Sequence, residues 1–527
     1  MWRLLAVLWL GVPMFGAGMD PTATNPTAIP RRGGQLRLAL QNDFGTLDPV
    51  QAPTTDHWAF QRLMFHGLFD YDDQGRLILD QAQDWALSED QRTYTFHLKA
   101  GIRFANGREV EAEDYRFALE RVLNPESGSD GQIALIGILG AKEFADGKTN
   151  HVMGVRAPDR RTLIVELVEP SYIFPFKLAW PSSAPVPREL LQKSSREFRA
   201  RLAGSGPYQL QEHIPGQRWL FVRNSHYTGP GGFPDSLELS IGGELFLHTM
   251  MVERGEIDLS QLSQQDYRRL ERDSRVGDFV KTLAYPNVHY VFMNTELKPF
   301  DDVRVRKAVS FALDRERLAK LLPPSVPAYG ILPPWMPEAD RERRAMEHNA
   351  EKARTLLRDA GYPDGFKVDL WYPLGYLGTI PEAIQEQLRL VSIRVTLRPV
   401  TSIAMFEKVS TRKNASMGLY GWIVDYPDPM SFFDPTLDGS KITDTQCYNY
   451  AFYNNPNVVR LIAQSDRIFD PIQRTQLLRR IEDTVLDDAP WAPVVHEKRV
   501  YLQSRRLRGF QRHPIWRYRL DALWLEN

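Results

Sequence analysis

The chain has 527 residues, of which 43% are hydrophobic and 25% charged, with 65 Lys plus Arg against 66 Asp plus Glu and a formal net charge of −1. That length exceeds what one hydrophobic core supports and predicts two or three lobes. The near-neutral charge gives neither a basic field for nucleic acid nor an acidic tail; the clusters Arg341 to Arg344, Arg479-Arg480 and Arg505-Arg506 read as solvated helix faces or strand ends without any nucleic-acid motif beside them.

Met1-Trp2-Arg3 carries one positive charge, residues 4–15 are almost entirely apolar, and Gly16-Ala17-Gly18 supplies small residues suited to a signal peptidase. This is the layout of a secretory signal, and the apolar run is too short for a stable membrane anchor. Residues 1–18 are therefore expected to be removed, leaving a mature chain that starts near Met19 and is free in a periplasm. No Cys follows the apolar run, so a lipid on a processed N-terminal Cys is not expected. The single cysteine, Cys447, forms no internal disulfide and builds no thiolate metal cluster; it reads as a small buried residue.

Residues 19–32, rich in Pro, Thr and Ala, read as a disordered leader. Alternation over 35–40 predicts the first strand, Thr46-Leu47-Asp48-Pro49 a turn, and the apolar spacing over 56–68 a helix. Residues 94–98 alternate as a half-buried strand with His97 on its polar face. Asn106-Gly107 is a tight turn, and 113–123 a helix stopped by Asn124-Pro125. A strand over 161–167 precedes a Pro-rich crossover, 170–187, expected to lack regular structure. Gly204-Ser205-Gly206-Pro207-Tyr208 is a glycine turn into a strand; its spacing is not that of a nucleophile elbow. Strands over 219–223 and 237–241 follow, then a helix ending near Gly255 and a return to the sheet at 257–259.

In the second half, 289–294 reads as a strand. Asp301-Asp302 caps a helix whose Val305, Ala308, Val309 and Ala312 fall on one face. A βαβ unit spans 367–400, with Ile393, Val395 and Leu397 facing inward. Residues 419–424 form a strand that ends at an acidic, Pro-stiffened turn. Helices over 457–468 and 471–486 precede a strand-like tail, 494–525.

The most informative stretch is Leu419 to Pro435. Asp425 stands on a turn stiffened by Pro427 and Pro429, among the aromatic faces of Tyr420, Trp422 and Tyr426. Such a carboxylate can hold a cation such as a peptide α-ammonium. The same residue can equally cap a helix or satisfy backbone N–H groups in an ordinary turn, and the residues alone leave both readings open.

Catalytic motifs are missing. There is no phosphate-binding Gly-rich loop (Gly137 to Lys142 has the wrong spacing) and no His-Glu-x-x-His, and the 11 histidines are scattered. Asp301-Asp302 and Asp487-Asp488 sit at expected helix ends. No metal and no cofactor are expected.

The order of nine local motifs resembles the family 5 extracellular solute-binding proteins, the periplasmic oligopeptide- and dipeptide-binding components of ABC importers. They are Thr46-Leu47-Asp48-Pro49, Phe65-His66-Gly67-Leu68, Tyr94 to Lys99, Phe104-Ala105-Asn106-Gly107-Arg108, Gly206-Pro207-Tyr208, Gly255-Glu256-Ile257-Asp258, Met293-Asn294-Thr295, Pro299-Phe300 with Asp302 to Ala308, and Gly421-Trp422-x-x-Asp425-Tyr426. The resemblance runs from about Gly33 to Trp524. It implies an α/β, periplasmic-binding-protein-like fold: two main α/β domains joined by a hinge, with an extra subdomain inserted in the first. Residues 33–65, 186–284 and 489–527 would make domain I, 66–185 the inserted subdomain and 285–488 domain II, with crossings near Tyr285 and near Ala489. It implies that Asp425 holds a ligand's α-ammonium group, that Gly421, Trp422 and Tyr426 line the same pocket, and that Thr54 and Thr55 touch the ligand from the opposite lobe.

The expected function is non-catalytic capture of a peptide between closing domains and its delivery to an ABC permease driven by a cytoplasmic ATPase, by a monomer that binds no nucleic acid. Relatives on this fold bind nickel chelates, opines or oligosaccharides, so a non-peptide solute is the alternative. An exported hydrolase and a sensor subunit are two further readings.

Overall fold

The computed structural model describes residues 29–51, 55–129, 131–193, 202, 204–273 and 275–526. The expected signal peptide and most of the leader lie outside them. Three sheets carry the architecture. A seven-stranded sheet runs in the order Val280–Ala284, Lys498–Gln503, Leu259–Gln261, Gln35–Leu40, Ser236–Ile241, Arg218–Arg223 and Tyr208–Ile214. A six-stranded sheet is ordered Val326–Pro327, Trp491–His496, Asn287–Met293, Met417–Ile423, Phe366–Pro373 and Ile393–Val400. A four-stranded sheet consists of Ala82–Leu87, Thr93–Leu98, Thr162–Glu166 and Val155–Arg156. Mixed α/β, the expected class, is the class found.

Local chemistry explains most of these elements. In Gln35–Leu40, Leu36 and Leu38 are buried and alternate with more exposed neighbours, as a strand with one covered face requires. Val303–Ala312 is capped by the Asp302 carboxylate, which accepts the Arg304 N–H at 2.8 Å, and buries Val305, Ala308, Val309 and Ala312. The expected βαβ unit is present: Phe366–Pro373 pairs in parallel with Ile393–Val400, and the intervening helix Ile380–Arg389 buries Ile380, Ile384 and Leu388 at helical spacing. All seven residues of Asn287–Met293 are buried, because this strand lies inside its sheet with cover on both faces. Cys447 is buried, its sulfur 3.7 Å from the Asn449 carbonyl.

Three expectations change. The helix expected over 56–68 is Thr55–Gln61, because the chain leaves it to meet the glycine turn. The Leu63 and Met64 carbonyls accept the Tyr208 and Gly206 N–H groups, each at 2.8 Å. A side chain at Gly206 would start 2.7 Å from the Leu63 carbonyl, so only glycine allows this approach. The Pro-rich crossover contains a short helix, Phe174–Lys177, and a 3-10 turn, Pro181–Ser183; proline at the second helical position costs no internal hydrogen bond.

The third change concerns the return crossing. Ala489 ends helix Pro471–Asp488 in a left-handed conformation (φ 49°), and the chain then runs through Trp491–His496, still in the six-stranded sheet. It passes to the seven-stranded sheet at Glu497, not near Ala489. There the two crossing segments are tied together. The Glu497 carbonyl accepts the Tyr285 N–H at 2.9 Å, and its carboxylate accepts from Asn287 Nδ2 at 3.1 Å and Arg499 Nε at 3.3 Å, with His289 Nε2 at 3.2 Å. The Arg499 guanidinium lies 3.6 Å from the Tyr285 ring centroid. Burial opposes the charge on Glu497, but the Arg499 guanidinium and the His289 hydrogen bond hold its carboxyl down at about 2.

Candidate ligand-binding site

The strand Met417–Ile423 pairs antiparallel with Asn287–Met293, with Gly421 opposite His289. A β-carbon on Gly421 would stand 2.6 Å from both His289 Nδ1 and the Tyr376 hydroxyl, which are themselves 2.5 Å apart. Glycine here lets that polar pair close against the strand. One residue on, the Trp422 indole N–H donates to the Ser431 carbonyl at 2.8 Å, and its ring meets Tyr448 edge-on at 5.6 Å.

Asp425 follows the strand. Its backbone N–H donates to Ser431 Oγ at 2.7 Å. Its carboxylate is half-buried and, among the described residues, makes no hydrogen bond and no ion pair. Burial alone pushes that carboxyl up to about 7.

Its neighbour Asp428 behaves in the opposite way. Asp428 Oδ1 accepts the Met430 N–H at 2.9 Å, and both carboxylate oxygens bind the Arg474 guanidinium, at 2.5 and 2.8 Å. Arg474 also donates to the Ser465 carbonyl at 3.0 Å and lies 4.0 Å from the Tyr172 ring centroid. The turn's capping and charge needs are met by Asp428. Asp425 caps nothing.

Aromatic side chains from distant segments surround the turn. Tyr426 is buried against Phe176 at 6.4 Å and Trp180 at 6.3 Å between centroids. Tyr71 stacks on Phe176 at 6.4 Å, donates its hydroxyl to the Phe176 carbonyl at 2.7 Å and contacts Trp516. Trp58 bridges Trp180 and Trp516. The hydroxyls of Tyr71 and Tyr426 are both raised, first by burial and also by the Asp425 charge, which places that carboxylate within electrostatic reach of each. A cation entering here would meet one unneutralised carboxylate and several aromatic faces.

Of the expected site residues, Gly421, Trp422, Asp425 and Tyr426 converge at this turn. Thr54 lies outside the described residues; Thr55 opens the helix Thr55–Gln61, and its side chain is not described. Sequence reasoning missed Ser431, Tyr71, Phe176, Trp180 and the His289–Tyr376 pair. The density of aromatics in Tyr172 to Trp180 was the available signal, and it fell inside the segment expected to be irregular. Among the described residues, no three His, Cys, Asp or Glu side chains are grouped to hold a metal ion.

Comparison with known proteins gives a consistent result. Residues 76–444 match the family described as bacterial extracellular solute-binding proteins, family 5 middle. The chain is similar to glutathione-binding protein GsiB of Escherichia coli strain K12, with 27% identity over 488 residues that cover 90% of this chain and 91% of GsiB. The corresponding protein of Salmonella choleraesuis strain SC-B67 is 27% identical over 498 residues, 92% of this chain and 93% of that one. Among solved structures, clavulanic acid biosynthesis oligopeptide binding protein 2 superposes with a TM-score of 0.88 at 26% identity, over 94% of this chain and 96% of that one. The murein tripeptide binding protein MppA of Escherichia coli shares the fold, with a TM-score of 0.79 at 23% identity over 94% and 99% of the two chains.

Proposed function

The chain belongs to the family 5 bacterial extracellular solute-binding proteins, and from that premise we propose that it captures short peptides by their α-ammonium group and presents them to a membrane permease. Members of this family are solute-binding components of ABC importers, so the role is binding without turnover and the hydrolase reading is set aside.

One observation carries the peptide reading: the Asp425 carboxylate, desolvated and without a partner among the described residues, at an aromatic turn. An α-ammonium group would supply the missing charge. The relatives named for glutathione, oligopeptide and murein tripeptide binding agree with a peptide-like solute. Gly421, Trp422 and Tyr426 would shape the pocket around Asp425, and Thr54 and Thr55 would reach the ligand from the other lobe.

In this reading the seven-stranded sheet forms domain I, the four-stranded sheet its inserted subdomain and the six-stranded sheet domain II. The hinge lies at Tyr285–Asn287 and Glu497. The protein is exported after cleavage near Met19, stays free in the periplasm and works as a monomer.

Titration calorimetry with one peptide, free and N-acetylated, tests the proposal. Asp425→Asn should lose thirty-fold to several thousand-fold in affinity for the free peptide, from a cost of roughly 2–5 kcal/mol for stranding one partner of a buried charge pair. Acetylation should weaken wild type similarly and add little in the mutant, so that the two changes are non-additive. Undiminished binding of free peptide by Asp425→Asn would make the ligand a solute without an amino terminus at this turn.

A further inference from the structure

One buried charge packed against the six-stranded sheet has no counter-ion. Arg315, the first residue of helix Arg315–Leu321, is 2% exposed. Its Nε donates to the Pro493 carbonyl at 2.8 Å, and Nη1 faces the carbonyls of Ser310, Leu313 and Met346 at 3.1, 3.3 and 2.9 Å. Nη2 donates to Ser310 Oγ at 2.7 Å. Every one of these partners is neutral. Among the described residues no carboxylate pairs with Arg315, and burial brings its guanidinium down to about 10.

A cavity with room for one water-sized sphere lies beside this group, lined by Ser310, Arg315, Tyr329, Met346, Trp491 and Pro493 among others. Trp491 is 1% exposed and stacks on Tyr290, and its buried indole N–H has no partner among the described residues. The Ser310 hydroxyl accepts from Arg315 and, among the described residues, donates to no group. The Tyr329 hydroxyl is committed to Glu316, at 3.2 Å.

The lining is therefore rich in donors and poor in free acceptors. The second Nη2 proton, the Ser310 hydroxyl proton and the Trp491 N–H are unspent, whereas the four carbonyls beside the guanidinium already accept from it. A water here would find donors for its lone pairs and only engaged carbonyls for its protons; an anion needs donors alone. A carboxylate or a phosphate exceeds the space, which leaves a monoatomic ion.

We propose that this cavity holds a chloride ion, bound by Arg315 Nη2, Ser310 Oγ and Trp491 Nε1. The ion neutralises a buried charge that is otherwise costly to keep. It also joins helix Val303–Ala312, helix Arg315–Leu321 and strand Trp491–His496. None of its ligands belongs to the Asp425 turn, so the ion stabilises the fold and is no part of the peptide site.

Bromide, which scatters X-rays anomalously, reports such an ion directly. Crystals of the mature protein grown in sodium bromide should show an anomalous peak within hydrogen-bond reach of Arg315 Nη2 and Trp491 Nε1. Density there without anomalous signal would identify a water and overturn the proposal. In solution, sodium chloride is exchanged for sodium gluconate at constant ionic strength, because gluconate is too large for the cavity. Each tenfold rise in chloride above its dissociation constant should raise the melting temperature by roughly 2–5 °C.

Trp491→Phe keeps the ring on Tyr290 and removes the N–H. It should fold in gluconate and lose most of the chloride response. A full response in Trp491→Phe would place the effect elsewhere on the protein and overturn the assignment. A bromide peak in the crystal without any chloride response of wild type up to about 1 M would mean binding at crystal concentration only, and would equally overturn it. Should Trp491→Phe fail to fold, Ser310→Ala removes a second donor and replaces it in the same comparison.

Discussion

Ser431 Oγ accepts the backbone N–H of Asp425 at 2.7 Å, while the carbonyl of the same serine accepts the Trp422 indole N–H at 2.8 Å. One buried residue at the start of helix Met430–Leu437 thus positions both the carboxylate-bearing residue and the ring beside it. The serine hydroxyl spends itself on the backbone of Asp425, and the carboxylate stays free.

Ser431→Ala should therefore act on binding more than on folding. It removes one hydrogen bond and leaves a partly buried N–H unsatisfied, a cost of about 1–3 kcal/mol that falls on the loop carrying Asp425. Peptide affinity should drop by up to roughly five- to 150-fold with unchanged circular dichroism. Calorimetry and thermal unfolding on the same preparation would show whether the loss is concentrated in binding.

Asp428 gives the opposite expectation. Its ion pair with Arg474 is buried on both sides, and removing one partner of such a pair costs about 3–5 kcal/mol because the other charge is stranded. Asp428→Ala should unfold at a clearly lower denaturant concentration than Asp425→Ala. Equal midpoints would mean that Arg474 finds another counter-ion. Within four residues, one aspartate holds the turn together and the other does not.

Much of this was legible in the sequence because it is local. The alternation in Gln35–Leu40, the Asp302 cap, the βαβ unit and the strand ending at Asp425 each depend on residues a few positions apart. The turn Asp425 to Pro429 was found for the same reason. What the sequence hid is what long-range packing decides. Nothing near Leu63 announces that its carbonyl will meet Tyr208, which shortens the helix before it. Nothing near Phe176 announces that its ring will meet both Tyr71 and Tyr426, the latter more than two hundred residues away. The crossing expected near Ala489 comes later, at Glu497, because the strand Trp491–His496 runs on through Pro493 inside the six-stranded sheet.

The crossing itself yields a pH-dependent expectation. Glu497 has a folded-state value of about 2, against an ordinary glutamate near 4.5, so the folded state favours its charged form. The stabilisation is present above the unfolded value and is lost as pH falls from about 4.5 through 2. After discounting for partial exposure, the contribution is roughly 2 kcal/mol at neutral pH. Glu497→Gln should lower the unfolding midpoint at pH 7 and converge on wild type toward pH 2–3. Because Glu497 ties Tyr285 to Asn287 and Arg499, the same variant should also alter the decrease in radius of gyration that hinge closure on ligand is expected to cause, measured by small-angle scattering. An unchanged radius in wild type with and without ligand would remove hinge closure from the account.

Asp425 carries the reverse sign. Its folded-state value of about 7 lies above the ordinary 3.8, so between those pH values the folded state holds more protons than the unfolded chain. Stability contributed at this position is then greatest below about pH 4 and falls as pH rises through 7. Asp425→Asn removes the ionisable group and with it the penalty. In the ligand-free protein the variant should match wild type near pH 4 and exceed it at pH 8. The expected gain is about 1–2 kcal/mol after allowance for solvent screening of a half-exposed group, seen as a rise of roughly 1–3 °C in melting temperature. Saturating peptide should reverse the order at pH 8, because only wild type gains the ammonium–carboxylate pair. At pH 6, where the ligand-free carboxyl is largely protonated, binding to wild type should release a proton. Calorimetry in two buffers of different ionisation enthalpy would detect that release, and Asp425→Asn should lack it. A variant that is less stable than wild type at pH 8 without ligand would show that the Asp425 carboxylate has a partner in the folded protein and was never waiting for a cation.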